Sequence, residues 1–170
     1  MKRTTAITIY QAVLGIKLNK MNDEMTEAII SNTLALADVN NSFQNAQTTA
    51  RKLTVETINK DRLTAYDELT TKMNALEGTK RMAVQAVIND NYKDVQSQIK
   101  RLNKAIDAYL DKDAKVELKQ IDRKEFCKAC RDAEQNLTPA TMQVLAPIFN
   151  GYVEPKNDVD DAEIRALLDE

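Results

Sequence analysis

Apolar residues recur along two stretches of this chain in alternating steps of four and three. The first stretch runs Met25, Ile29, Asn32, Leu36, Val39, Phe43, Ala46, Ala50 and Leu53. The second runs Ile88, Tyr92, Val95, Ile99, Leu102, Ile106 and Tyr109. This period puts each set on one narrow seam of a long α-helix, the geometry of knobs-into-holes packing. Ile29, Leu36, Val39 and Phe43 in one seam, and Tyr92, Val95, Ile99, Leu102 and Ile106 in the other, are the positions expected to carry it. Asn32 is a polar member of an apolar row. It reads either as a buried Asn that sets register or strand number at some loss of stability, or as a stretch of helix face left uncovered.

The rest of the pattern places shorter elements around these two. A first helix is expected from about residue 5 to 17, with Ile7, Tyr10, Leu14 and Leu18 on one face. Asn19 to Asp23 reads as a turn, and Asn22 or Asp23 can cap the helix of the first seam, expected over about 23 to 58. Asn59-Lys60-Asp61 reads as a break or as continuing helix. Beyond it Leu63, Tyr66, Leu69, Met73 and Leu76 form another apolar face. Gly78 reads as a C-terminal cap and Thr79 as the next N-cap, opening a helix of about 80 to 111 that carries the second seam. A shorter segment from about 114 to 135 holds Val116, Leu118, Ile121 and Phe126. Thr138-Pro139 reads as an N-cap followed by Pro at the first helical position. The helix it opens must bend or restart at Pro147 and end at Gly151.

Residues 152–157 read as a linker and 158–170 as a short acidic helix. Ile164, Leu167 and Leu168 sit at i, i+3 and i+4, a small apolar patch. So short a helix is unstable alone in water, so the patch is expected to dock on the chain's own body or on a neighbouring subunit or partner. These three are the expected partner-binding residues. The organisation expected is a helical body over 1–151, a linker and an acidic C-terminal helix. The fold class is all-α, an elongated antiparallel bundle of long coiled-coil-like helices with shorter helices in the C-terminal third.

Composition agrees. The chain has 170 residues, 43% of them hydrophobic, which suits one domain with a core. Only 3 Gly and 3 Pro are present, too few turn formers for a hairpin-rich sheet protein. Charge is uneven: residues 132–170 hold nine acids against Lys156 and Arg165, so the first 131 residues are net basic in a chain of net charge −2. A basic body with an acidic tail invites contact with itself or with a partner. The Met1-Lys2-Arg3 start and the apolar residues after it faintly resemble a secretory signal. Thr8, Tyr10 and Gln11 interrupt the run and no small-x-small cleavage site follows, so no cleaved signal is expected. No segment is long and apolar enough to span a membrane.

Candidate chemistry is sparse. The chain has no His, which removes Ser-His-Asp and Cys-His catalysis and most protein metal sites. The three glycines are isolated, so no phosphate-cradling loop exists. Carboxylate pairs such as Asp107/Asp111 and Glu24/Glu27 arise constantly on acidic helix faces and read as solvated surface. Cys127-Lys-Ala-Cys130 is the motif with a familiar chemical meaning: half of a tetrahedral metal site, a redox dithiol, or two sulfurs packed on one helix face. The missing metal ligands would have to be carboxylates or come from a second subunit, and a redox dithiol usually follows a strand, so packing is the preferred reading. Two Cys and no disulfide framework fit a reducing compartment such as the cytoplasm. Residues 99–131 hold ten bases interleaved with six acids, which weakens a nucleic-acid reading without removing it.

Leu18-Asn-Lys-Met21, then Ile29-Ile30, Leu34-Ala-Leu36 and Phe43, resemble small helical proteins of tailed-phage gene clusters from gut bacteria. The resemblance covers the first third of the chain and carries no catalytic signature. It implies a virion or virion-assembly setting. The expected function is therefore structural or assembly work through helix packing, with self-association or other virion proteins as partners. No catalysis, cofactor, metal or small-molecule substrate is expected. A nucleic-acid-associated regulator using residues 99–131 is the alternative, and a metal or redox protein using Cys127 and Cys130 the third.

Overall fold

The computed structural model describes residues 1–154. The expected C-terminal helix over 158–170, with Ile164, Leu167 and Leu168, lies outside the described residues. Among those described, the elements in order are α1 (Arg3–Leu14), α2 (Asp23–Leu53), a 3-10 turn (Val55–Thr57), α3 (Lys60–Asn74), α4 (Gly78–Asn91), α5 (Lys93–Leu110), α6 (Arg123–Asp132), α7 (Pro139–Val144) and a second 3-10 turn (Ala146–Ile148). The chain is all-α. The described residues divide into two compact units: Met1, Thr8–Leu36 and 116–154, and Lys2–Ile7 with Ala37–Lys115.

In the first unit α2 begins where the sequence places its cap. The Asn22 side-chain oxygen accepts from the Met25 N–H at 2.8 Å, satisfying one of the donors a helix start leaves free. Ile9, Ile29, Leu36, Phe126, Leu145 and Ile148 are the large side chains sealed from solvent here, and the Phe126 and Phe149 rings meet at 5.2 Å. The inward positions of α1 and its exit are Ala6, Ile9, Val13 and Ile16, while Leu14 is 59% exposed. Of the expected face of Ile7, Tyr10, Leu14 and Leu18, Ile7 is buried and Tyr10 and Leu18 are half-buried, so the correction falls on Leu14. Two overlapping 3,4 patterns share this segment, and only the packing selects between them.

Residues 114–120 are extended, so that of the shorter segment expected over about 114 to 135 only Arg123–Asp132 is helical. Their apolar residues, Ala114, Val116 and Leu118, fall on every second position, the period of an extended chain. This segment is fastened through side chains and short bridges. The Lys119 N–H donates to Asn32 Oδ1 at 2.7 Å, and Asn32 Nδ2 donates to the Lys119 carbonyl at 2.9 Å. The Ile121 N–H donates to the Ile148 carbonyl at 2.9 Å, and the Asn150 N–H returns to the Ile121 carbonyl at 3.0 Å. Asp122 caps α6 by accepting from the Lys124 and Glu125 N–H groups. Thr138 caps α7 with Pro139 behind it, and the chain restarts at Pro147 as a 3-10 turn.

In the second unit Asn59 breaks the chain and caps α3, accepting from the Asp61 and Arg62 N–H groups. Glu77, without a side-chain cap bond, precedes α4, and Gly78 has φ +56°. Thr79 is therefore not the N-cap. The second seam does not lie on one helix: Tyr92, with φ −124° and ψ 29°, ends α4 and precedes α5. Arg62 of α3 holds this interruption. Its guanidinium donates to the Asn91 carbonyl and to both Asp94 carboxylate oxygens, and sits 4.9 Å from the Tyr92 ring centroid. The Tyr92 ring also meets Tyr66 at 5.8 Å. A broken helix leaves a carbonyl unpaired, and a forked, planar cation can take it together with a carboxylate. At the other end of α5, Lys2 Nζ donates to the Asp111 carbonyl, the Arg3 guanidinium to that of Tyr109 and the Thr4 hydroxyl to that of Leu110. Cations at a helix C-terminus are favourable there.

Candidate functional site

The first seam changes character along α2. Met25, Ile29, Asn32 and Leu36 are buried, Val39, Phe43, Ala46 and Ala50 are half-buried, and Leu53 is 71% exposed. In the second seam Val95 and Leu102 are buried, whereas Tyr92, Ile99 and Ile106 are half-buried. Where the two half-covered stretches meet, inside the second unit, lies a groove of about 600 Å³. Phe43, Ala46, Ala50 and Leu53 of α2 form one wall, and Ala105, Ile106 and Tyr109 of α5 the other.

The sequence explains the opening. Ala46, Ala50 and Ala105 are too small to fill the space between two helices that Phe43 and Tyr109 bridge at 6.2 Å. Tyr109 is held in turn by the Arg3 guanidinium, 4.1 Å from its ring centroid. Past the other end the Thr54 hydroxyl donates to the Ala50 carbonyl at 2.6 Å, so a potentially polar lining atom is already used. Arg101 is the charged residue of the lining, and Arg51 and Lys52 stand on the last turn of α2. An apolar trough with a single cation in its lining is chemically suited to hold aliphatic side chains flanked by acids. The sequence pattern put Ala46 and Ala50 in the first seam but assigned neither Ala105 nor Arg101 to the groove. Neither belongs to a 3,4-spaced row, and only the packing places them in the lining.

The other sequence candidates lie elsewhere. The 99–131 bases fall on different pieces of backbone: the second half of α5, the turn after it at Lys112, the extended segment and α6. Lys119 is taken by Glu27 at 2.8 Å, which also holds the Glu27 carboxyl below its ordinary range. Asp111 is taken by Lys2 at 2.9 Å. Cys130 is buried and Cys127 half-buried on α6. Burial pushes the Cys130 thiol up, and the neighbouring Cys127 adds to it, whereas a nucleophilic or metal-binding thiolate needs the opposite shift. Among the described residues no group of three or more Cys, Asp and Glu side chains is placed to hold a metal ion, and no helix is long and apolar enough to cross a membrane. A smaller apolar cleft of about 230 Å³ lies in the first unit, between Leu14 and Leu18 on one side and Ile30 and Leu34 on the other.

No family model, curated protein or solved structure matches the chain.

Proposed function

We infer that this chain is a non-enzymatic structural or assembly protein that works by presenting helix faces to other proteins. The observation that carries the reading is the half-open seam of α2 and α5, an apolar groove whose helical period continues past the point where the fold covers it. Apolar surface left in this form marks protein interfaces more often than catalytic sites, and helix-in-groove docking uses the same 3,4 spacing. The resemblance of the first third to helical proteins of tailed-phage gene clusters supports a virion or virion-assembly setting within a bacterial host.

The test is the mass of the full chain in solution across a wide range of concentration, measured by sedimentation. Self-association that weakens in Leu53→Glu at unchanged thermal stability is the expected result. A strictly monomeric mass at high concentration counts against the reading. A salt-dependent shift of DNA or RNA would move the assignment to the basic residues of 99–131, and stoichiometric bound zinc would move it to Cys127 and Cys130.

A further inference from the structure

We propose that the groove between α2 and α5 receives the acidic C-terminal segment of a second copy of this chain, with Ile164, Leu167 and Leu168 seated on its apolar walls. The inference rests on the reading of the chain as an assembly protein and names the partner of that same site.

Three observations point to this occupant. The first is spacing. Ile164, Leu167 and Leu168 recur at i, i+3 and i+4, the repeat that a groove lined by Phe43, Ala50, Leu53 and Ile106 accepts. The second is size: three aliphatic side chains suit a trough of about 600 Å³, and the alanines in its walls allow close approach. The third is charge. Residues 158–170 carry six acids, at 158, 160, 161, 163, 169 and 170, against the single base Arg165. The groove carries the cation Arg101 in its lining and no acid, and the last turn of α2 adds Arg51 and Lys52 outside that lining. Acids on both sides of an apolar triad would thus meet an apolar trough whose one charged lining residue is the cation Arg101, a complementarity that favours this segment over a basic partner. Charge attraction alone is screened over about 10 Å at 0.1 M salt, so the apolar triad must hold the contact and the acids select it.

The consequence for assembly follows from symmetry. When each chain both gives its segment and receives its partner's, the two contacts close a dimer. When the segment passes on to a third chain instead, the same contact propagates an open array.

The experiment uses the full-length chain in three forms: unmodified, Leu53→Glu in the groove, and Leu167→Glu with Leu168→Glu in the segment. Leu53 is largely exposed, so its replacement leaves folding intact, and far-UV circular dichroism checks all three. Each variant alone is expected to lose self-association by at least tenfold. An equimolar mixture of the two is expected to recover a heterodimer, because one chain keeps its groove and the other its segment. Raising the salt concentration should weaken association of the unmodified chain. If the segment variant associates as well as the unmodified chain while the groove variant does not, another face of the second copy occupies the groove: this inference is overturned and the assembly reading stands. If neither variant changes the mass of an associating chain, both the groove and the segment are excluded from the interface. If the unmodified chain does not associate at all, the inference and the self-assembly reading fall together.

Discussion

Replacing Asn32 by Leu should destabilise the protein, although it makes the first seam uniformly apolar. A seam read as a plain heptad predicts the reverse, since a buried Asn weakens such packing. The structure gives Asn32 a different task. It is 1% exposed, and its carboxamide accepts from the Lys119 N–H at 2.7 Å and donates to the Lys119 carbonyl at 2.9 Å. It therefore pairs with the extended segment as a neighbouring strand would. Leu has the same branching, is bulkier, and supplies neither a donor nor an acceptor. Each net hydrogen bond lost is worth about 0.5–1.5 kcal/mol, and a backbone group left without a partner costs about 1–3 kcal/mol where water cannot reach it. Some of that is recovered by burying more carbon, so the expected net loss is ~2–4 kcal/mol. Urea unfolding followed by far-UV circular dichroism measures it, with the slope unchanged and the midpoint lowered. Asn32→Ala should lose at least as much, because it adds a cavity. Glu27→Gln, which removes only the exposed ion pair to Lys119, should leave the midpoint where it is. An Asn32→Leu chain as stable as the parent, or more so, would refute the assigned role and return Asn32 to a register device or an uncovered helix face.

Leu36→Asp should unfold its unit, because Leu36 is fully sealed and an isolated carboxylate there is several kcal/mol unfavourable; Ile99→Asp, at a half-buried position, should only lower the melting temperature, and equal losses in the two would show that burial is misassigned. The Arg62 guanidinium holds the Asp94 carboxyl down to about 2, from an ordinary value near 4. Its stabilising contribution is thus present above about pH 4 and lost as pH falls towards 2, so the melting-temperature gap between the parent and Asp94→Asn should be open at pH 7 and closed near pH 2, and a pH-independent gap would contradict it. Thiol reagents should modify Cys127 before Cys130, whose thiol is buried and shifted up; replacing both by Ala should lower stability modestly and leave association intact, and a loss of bound metal together with folding would reverse the packing assignment.

What the sequence determined on its own is local. Asn22 and Thr138 carry short polar side chains that bond the nearest free N–H groups, so those helix starts were legible from a few residues, as was the restart at Pro147; the cap at Asn59 was left open, and Thr79 was misread as one. The 3,4 period was likewise sufficient for an all-α fold, because one apolar edge on a helix must be covered. Tertiary structure alone decided the rest. The break at Tyr92 depends on Arg62, thirty positions earlier, reaching the Asn91 carbonyl and the Asp94 carboxylate. The pairing of Asn32 with Lys119 depends on an extended segment 87 residues away. The open stretch of the seam depends on three alanines from two helices standing near one another. Periodicity shows which side of a helix seeks cover. How much cover it receives, and from what, is a property of distant residues brought together, and no window of sequence contains it.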